Sequence, residues 1–444
     1  MYKFFMSQSV AIGTLSAVTL LCSLSALAES LSDSSWSSHF QSTVITQSHG
    51  TFTSPYQGPN SLNPNFEIPT SITATLFVGR KLWQDAYFFA NPEELMGSGL
   101  SQTHGIGAFP NGEIYRVDDP SPKINLSRLF FQQDIQLGGE KEIVPADLNQ
   151  FAAEKTDHRF TLVAGKFTLN DYLDDNSYSR DPRSQFLNWA LMDQGSWDYA
   201  ADTRGYTWGI YGELHYPVWS LRLALVQISQ VANGLDLNGD IIHANSENFE
   251  FEYRYNLNGS SGKVRLLSFV NNATMGNYRQ ALNIAASTGS APDITKTRNY
   301  STKYGFGLNA EQALTADLGI FSRVGFNDGA TETWSFTEID RSFSVGASLK
   351  GVAWGRSVDT AGIALMIDGL SKDHADYLSA GGSGFILGDG LLSYAPEYIT
   401  EMYYSYRLNP FMTLSPDFSY VKNPGYNSDR GPVTIYSLRF HLEI

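Results

Sequence analysis

The 444-residue chain carries 30 Lys and Arg against 45 Asp and Glu, a net charge of −15, with 13% aromatic residues and one cysteine. That acidic balance, with no long basic run, excludes a nucleic-acid-binding surface, and a single cysteine excludes a disulfide scaffold or a thiolate metal cluster. The aromatic content excludes a disordered chain, and no Pro/Ser-rich linker divides the sequence, so one large unit is expected.

Along the chain, Lys3, the apolar stretch from Val10 to Leu27 and the small-residue pattern Ala26-Leu27-Ala28 predict an export signal over residues 1–28. Residues 29–444 are then expected to form a single domain. Cys22 leaves with the signal, and Leu21 before it is not the small residue that lipoprotein acylation requires. Beyond the signal no apolar run reaches the length of about 18 residues that a membrane helix needs. Period-two alternation recurs instead. It predicts strands at Trp36 to Ser48, Ser71 to Arg80, Ala86 to Asn91, Lys123 to Gln136, Arg159 to Phe167, Gly205 to Tyr216, Trp219 to Ile228 and Asn248 to Leu257. Further strands are predicted at Lys263 to Asn272, Lys303 to Glu311, Leu318 to Asn327, Thr333 to Ile339, Ser342 to Lys350, Gly362 to Asp368, Thr400 to Leu408, Phe411 to Lys422 and Thr434 to Ile444. The segment NFEFEYRYNL illustrates the pattern, with Phe249, Phe251, Tyr253, Tyr255 and Leu257 on one face and Glu250, Glu252, Arg254 and Asn256 on the other.

Two architectures hold so many strands: a soluble sandwich or β-helix, and a transmembrane barrel. A soluble sheet packs its apolar face against another apolar wall, whereas a membrane barrel turns that face to lipid and fills its lumen with polar groups. The second face here is charged repeatedly, at Glu213, Arg222, Glu250, Glu252, Arg254, Arg323, Glu401, Arg407 and Arg439. Aromatic pairs near strand ends, such as Tyr216 with Trp219, fit interfacial girdles. An all-β transmembrane antiparallel barrel of about sixteen strands is the expectation. Short turns are predicted at Tyr216-Pro217-Val218, Asn258-Gly259-Ser260 and Leu408-Asn409-Pro410. Asn91 to Ser121, Asn170 to Thr203, Thr274 to Ser301 and Ser371 to Pro396 are too long for hairpin turns, and at least one is expected to fold inward as a constriction loop.

Two stretches carry a family resemblance: AGKFTLNDYLDDNSYSRDPRSQFLNWALMDQGSWDYAADTRGYTWGIYGE, from Ala164 to Glu213, and SPDFSYVKNPGYNSDRGPVTIYSLRFHLEI at the C-terminus. Both resemble the carbohydrate-selective porins of Gram-negative outer membranes, the OprB type. FFANPEE from Phe88, FSRVGFNDG from Phe321, HADYLSAGGSGFILGDG from His374 and PEYITEMYY from Pro396 extend the likeness to nearly the whole chain after Phe88. The resemblance implies a sixteen-stranded barrel, diffusion of sugars through an aqueous pore, and often a monomer. The chain departs from the usual aromatic end of such barrels in closing on Ile444.

Sugar recognition needs aromatic faces that stack on pyranose C–H surfaces, beside carboxylate, amide and guanidinium groups that replace the hydroxyls' water. Trp197, Asp198, Asp202 and Arg204 offer that mixture in one long loop, and packing of a folded-in loop against the wall is the competing role. Arg80, Arg254, Arg323 and Arg356, with Glu213 and Glu401, are candidates for a charged lumen, either facing solute or neutralising one another. Asp236 to Asp240 lacks the glycine and the glutamate of a calcium loop, the histidines form no metal motif, and paired carboxylates alone define no glycosidase. No catalytic residue, metal or cofactor is assigned. The expected partners are small carbohydrates, outer-membrane lipid and the barrel assembly machinery, with no nucleic acid, and with a monomer favoured although an oligomer stays open. The alternative reading is a non-transporting envelope protein that binds carbohydrate.

Overall fold

A computed structural model describes residues 35–114 and 120–444, so the expected signal over residues 1–28 lies outside the described residues. Strands β1 (Trp36–His49), β2 (Thr70–Trp83), β3 (Ala86–Gly97), β4 (Lys123–Val144), β5 (Ala153–Phe167), β6 (Thr207–His215), β7 (Trp219–Gln227) and β8 (Asn245–Leu257) form the first half. The second half comprises β9 (Ser260–Met275), β10 (Asn299–Ala313), β11 (Leu318–Asn327), β12 (Arg341–Gly351), β13 (Arg356–Gly369), β14 (Glu397–Asn409), β15 (Met412–Lys422) and β16 (Val433–Glu443). Each pairs antiparallel with its sequence neighbours, and β16 returns to β1 in register from Gln41↔Glu443 to His49↔Ile435, closing a barrel with no free edge.

Side-chain alternation sets what each face meets. On β13, Ile363, Leu365 and Ile367 point outward and are 47, 51 and 41% exposed, while Ala364, Met366 and Asp368 are buried inside. On β8, Glu250 and Glu252 are buried inward between the outward Phe249, Phe251 and Tyr253. An apolar exterior around a polar interior is the inverse of a soluble protein and suits a wall standing in lipid.

One predicted strand is corrected. Thr333 to Ile339 is not in the wall but in the connection between β11 and β12, and all seven residues are buried. Its alternation arises because it dives into the barrel: the Trp334 indole N–H donates to the Ser229 carbonyl at 2.9 Å, and the Trp334 and Ser335 amides donate to Asp198.

The two barrel ends differ. At one end the connections are mostly brief, as at 84–85, 216–218, 258–259 and 410–411; at the other they run over 50–69, 98–122, 168–206, 276–298 and 370–396. Short turns mark the periplasmic end and long loops the extracellular end. The long loops carry α1 (Trp189–Met192), α2 (Tyr278–Thr288) and α3 (Lys372–Ser379). They also form an aromatic core inside the loop end, where Trp189 stacks on Phe336 at 4.6 Å and Trp197 meets Tyr199 edge-on at 5.1 Å.

Candidate functional site

Of the long connections, at least one of which was expected to fold inward, 168–206 does so, and it is held largely by the wall of the second half of the barrel. The Arg323 guanidinium reaches Asp174 at 2.9 Å and donates to the Leu191 and Ser179 carbonyls at 2.8 and 2.7 Å. Arg439 donates to the Pro182 and Gln185 carbonyls at 2.6 and 2.7 Å. Glu401 accepts the Leu187 and Asn188 amides, just before α1, whose first turn is capped by the Asn188 side chain on the Ala190 amide at 3.0 Å. Asp198 accepts the Trp334 and Ser335 amides and lies 3.5 Å from the Lys303 ammonium. Close seating needs a wall without side chains. Gly307 and Gly325 face inward on β10 and β11, where a Cβ would run into Gln194 and Ser196.

With the loop against one side, a cavity of about 630 Å³ remains along the other. Apart from Glu443, every lining residue lies between Gln41 and Glu213, on β1 to β6 and the connections between them, the inward loop included. Its charges are of both signs. Arg128 forms a bidentate pair with Asp171 at 2.6 and 2.7 Å, which uses two of its five N–H donors. Arg183 donates to Glu113 at 3.1 Å, and Arg180 reaches Asp175 at 2.8 Å. Tyr206 lies beneath Arg128, whose guanidinium carbon is 5.3 Å from the ring centre, and its hydroxyl donates to the Glu93 carboxylate at 2.9 Å. Half-buried Tyr172 stacks on Tyr211 at 4.4 Å and lines the cavity, giving a flat aromatic face beside fixed hydrogen-bonding groups.

Carboxylates in and beside the loop have diverged in acidity. Burial works to raise Asp181, and Arg183 and His441 outweigh it, so this carboxyl stays below its ordinary range. Burial raises Glu113 despite the neighbouring Arg183. Asp193, buried behind the loop with Asp174 adding to the effect, is pushed up to about 8. An acid near the passage is thereby kept charged, and one behind it is kept neutral.

Among the ten residues singled out in the sequence, Arg204 and Glu213 line this cavity. Trp197, Asp198, Arg323 and Glu401 lie in the loop's packing; the Trp197 indole N–H donates to Asn248 at 3.1 Å. Asp202 accepts the Arg204 and Tyr206 amides at 2.9 and 3.1 Å, shaping the loop's return to β6. Arg254 faces inward but at the turn end, donating to Glu252, to Ser220 at 3.1 Å and to the Tyr216 carbonyl. Two placements in the lumen are corrected. Arg80 shares the outward face of Ile72, Leu76 and Val78 and sits 4.5 Å over the Trp36 ring. Arg356 pairs with Asp359 and lies 3.9 Å over Tyr406, on the outer surface. Both guanidinium groups sit near a strand end beside aromatic rings, where a cation keeps water while its stem covers apolar surface.

The cavity residues Arg128, Arg180, Arg183, Tyr172 and Tyr206 were not singled out by sequence. Arg180 and Arg183 stand in the run Ser179-Arg180-Asp181-Pro182-Arg183, two cations and a proline in one of the four connections among which an inward loop was expected, and that was the available signal.

Several solved structures are similar to this chain. The structure of Pseudomonas putida OprB at high pH matches with a TM-score of 0.70 and 17% identity, over 92% of this chain and 94% of that one. The low-pH structure of the same protein matches with a TM-score of 0.50 and 12% identity, over 92% and 93%. The outer membrane channel DcaP of Acinetobacter baumannii matches with a TM-score of 0.48 and 8% identity, over 92% and 97%. Comparison with curated proteins gives no match. The model of the carbohydrate-selective porin, OprB family, matches residues 70–443. A closed sixteen-stranded wall with lipid outside, an inward loop and a polar off-centre cavity thus places the chain in a family of known transport class: it belongs to the carbohydrate-selective porins of the OprB family, outer-membrane channels through which sugars diffuse passively.

Proposed function

We propose that small neutral carbohydrates cross along the β1 to β6 wall, stacking on Tyr172 and exchanging hydrogen bonds with Arg128, Arg183, Glu93 and Glu213. The observation that carries this reading is the cavity's composition: an aromatic face flanked by guanidinium and carboxylate groups already paired to one another. Paired charges present donors and acceptors without a net field that would select an ion. Arg204 and Glu213 belong to this path; Trp197, Asp198, Asp202, Arg323 and Glu401 position the loop that borders it. Each contact stays weak, since a deep site would hold the solute and slow its exit. The chain carries out no chemical step on the sugar. Residues 1–28 direct export and are removed, the assembly machinery inserts residues 29–444 as one barrel in contact with outer-membrane lipid, and a monomer suffices because the passage lies within one chain.

Single-channel recording of the refolded protein in a planar bilayer, titrated with glucose, maltose and a control amino acid, tests the reading. Discrete conductance steps blocked by the sugars and not by the amino acid are expected. Steps indifferent to sugar would leave a general pore, and a folded barrel without steps would turn the reading to a non-transporting carbohydrate-binding protein.

A further inference from the structure

At 22 residues β4 overshoots both neighbouring strands. β3 begins its pairing at Ala86↔Gln133 and β6 ends at Arg159↔His215, so residues 137–158 form a hairpin paired only with itself. Its register shifts between Gln136 and Gly138 and again between Gly138 and Lys141. Two such bulges in one strand bend a hairpin sharply. The glycines there sit at φ of +103 and +90°, which a side chain would oppose, and a Cβ on Gly139 would overlap Asp157.

The bend carries the tip back into the turn-end mouth, and four contacts pin it. Phe151 stacks on Tyr87 at 5.3 Å and 17° and lies 5.9 Å from Phe89, both inward side chains of β3. Gly79 on β2 makes room, since a Cβ there would come 3.0 Å from the Phe151 ring. Asn91 donates to the Asn149 side chain at 3.0 Å, and Lys155 reaches Asp134 at 2.7 Å. The tip is closed by paired backbone hydrogen bonds between Asp147 and Gln150 at 3.1 and 3.0 Å. Asp147, Asn149 and Gln150 therefore line the same cavity as Arg128 and Glu213. A turn of this polarity normally lies in open solvent; here an aromatic wedge holds its 147–150 side against the cavity, with Asp147 still exposed.

We propose that the 145–152 turn is a second constriction, at the periplasmic mouth, whose Asp147, Asn149 and Gln150 side chains bind a neutral polyhydroxylated solute as it leaves. This rests on the passage reading above, and wild-type recordings separate the two: absence of sugar block in the unmodified protein overturns the passage reading itself. With block established, a variant in which residues 146–151 are replaced by Gly-Ser is recorded with glucose on either side. Higher conductance and a residence time shortened about five- to tenfold, as loss of one or two neutral hydrogen bonds predicts, are expected. Unchanged conductance and residence time would overturn the second constriction. Where the shortened hairpin fails to refold to a heat-modifiable barrel, Asp147→Lys decides: a reversal potential shifted toward anions places the turn in the conducting path, and an unshifted one removes it.

Discussion

At the scale of single residues, the division between groups that meet solute and groups that hold the loop leads to opposite expectations for similar side chains. Arg128→Ala removes the donor that bridges Asp171 and the cavity, and a hydrogen bond to a charged group contributes about 1.5–3 kcal/mol. Sugar block in single-channel titration is expected to weaken by roughly tenfold or more, while block unchanged by the substitution would take Arg128 off the path. Asp193 behaves differently because its carboxyl is raised to about 8 when the loop is packed, far above the 3.8 of a free side chain. Its contribution is fully present below pH 4 and is lost as pH rises through about 8. Hydrogen exchange of residues 189–192 should therefore quicken between those values, and Asp193→Asn, which keeps the size and removes the charge, should flatten the trend. The same pH slope in that variant would mean another group controls the loop. None of this was legible in the sequence, where Asp193 is one acid among many and its burial depends on a loop folding against a distant wall.

At the scale of elements, strands were read well and loops poorly, for a physical reason. A strand in lipid has one face fixed as apolar by the membrane, so Leu318 to Asn327 was delimited as it stands. The buried connection 328–340 shows alternation of the same kind because it too has two unlike sides, one toward the wall and one toward the neighbouring loop. The hairpin beyond Gln136 lost its alternation at the two bulges, and nothing local says that its tip returns inward. An inward loop was expected among four long connections, but that 168–206 would be one, and which side it would take, depended on small residues 100 or so positions later, such as Gly307 and Gly325. Arg323 is the clearest measure of its anchoring. Arg323→Ala leaves Asp174 buried without its partner, a loss of about 3–5 kcal/mol for a pair of this kind. Fluctuating conductance and fast exchange across 174–192 are expected, with little change in ion selectivity because Arg323 does not border the cavity. A steady channel with altered selectivity would put Arg323 in the conducting path instead.

At the scale of the whole molecule, closure of β1 on β16 makes every strand a two-sided member of one wall, and the outer surface has a single environment to satisfy. Leu438, outward at the middle of β16 and paired with Thr46 and Pro416, tests it. Leu438→Arg is expected to destabilise the barrel by about 2–4 kcal/mol if this position lies near the bilayer midplane. Ser437→Ala, one residue away but facing inward with a 3.0 Å bond from Gln47, is expected to cost about 0.5–1.5 kcal/mol. Urea unfolding from lipid vesicles measures both, and equal losses would contradict the assigned faces. The off-centre cavity divides labour along the chain. Its lining ends at Glu213 save for one residue, while much of the anchoring of the inward loop, from Glu250 to Arg439, comes afterwards and adds to the Arg128–Asp171 and Arg183–Glu113 pairs of the first half. Taste is thereby written in the first half of the sequence and much of the foundation in the second, so the lining can drift to suit a new sugar while the far wall stands still, and a chimaera joined in the 216–218 turn would inherit its diet from the donor of the first half.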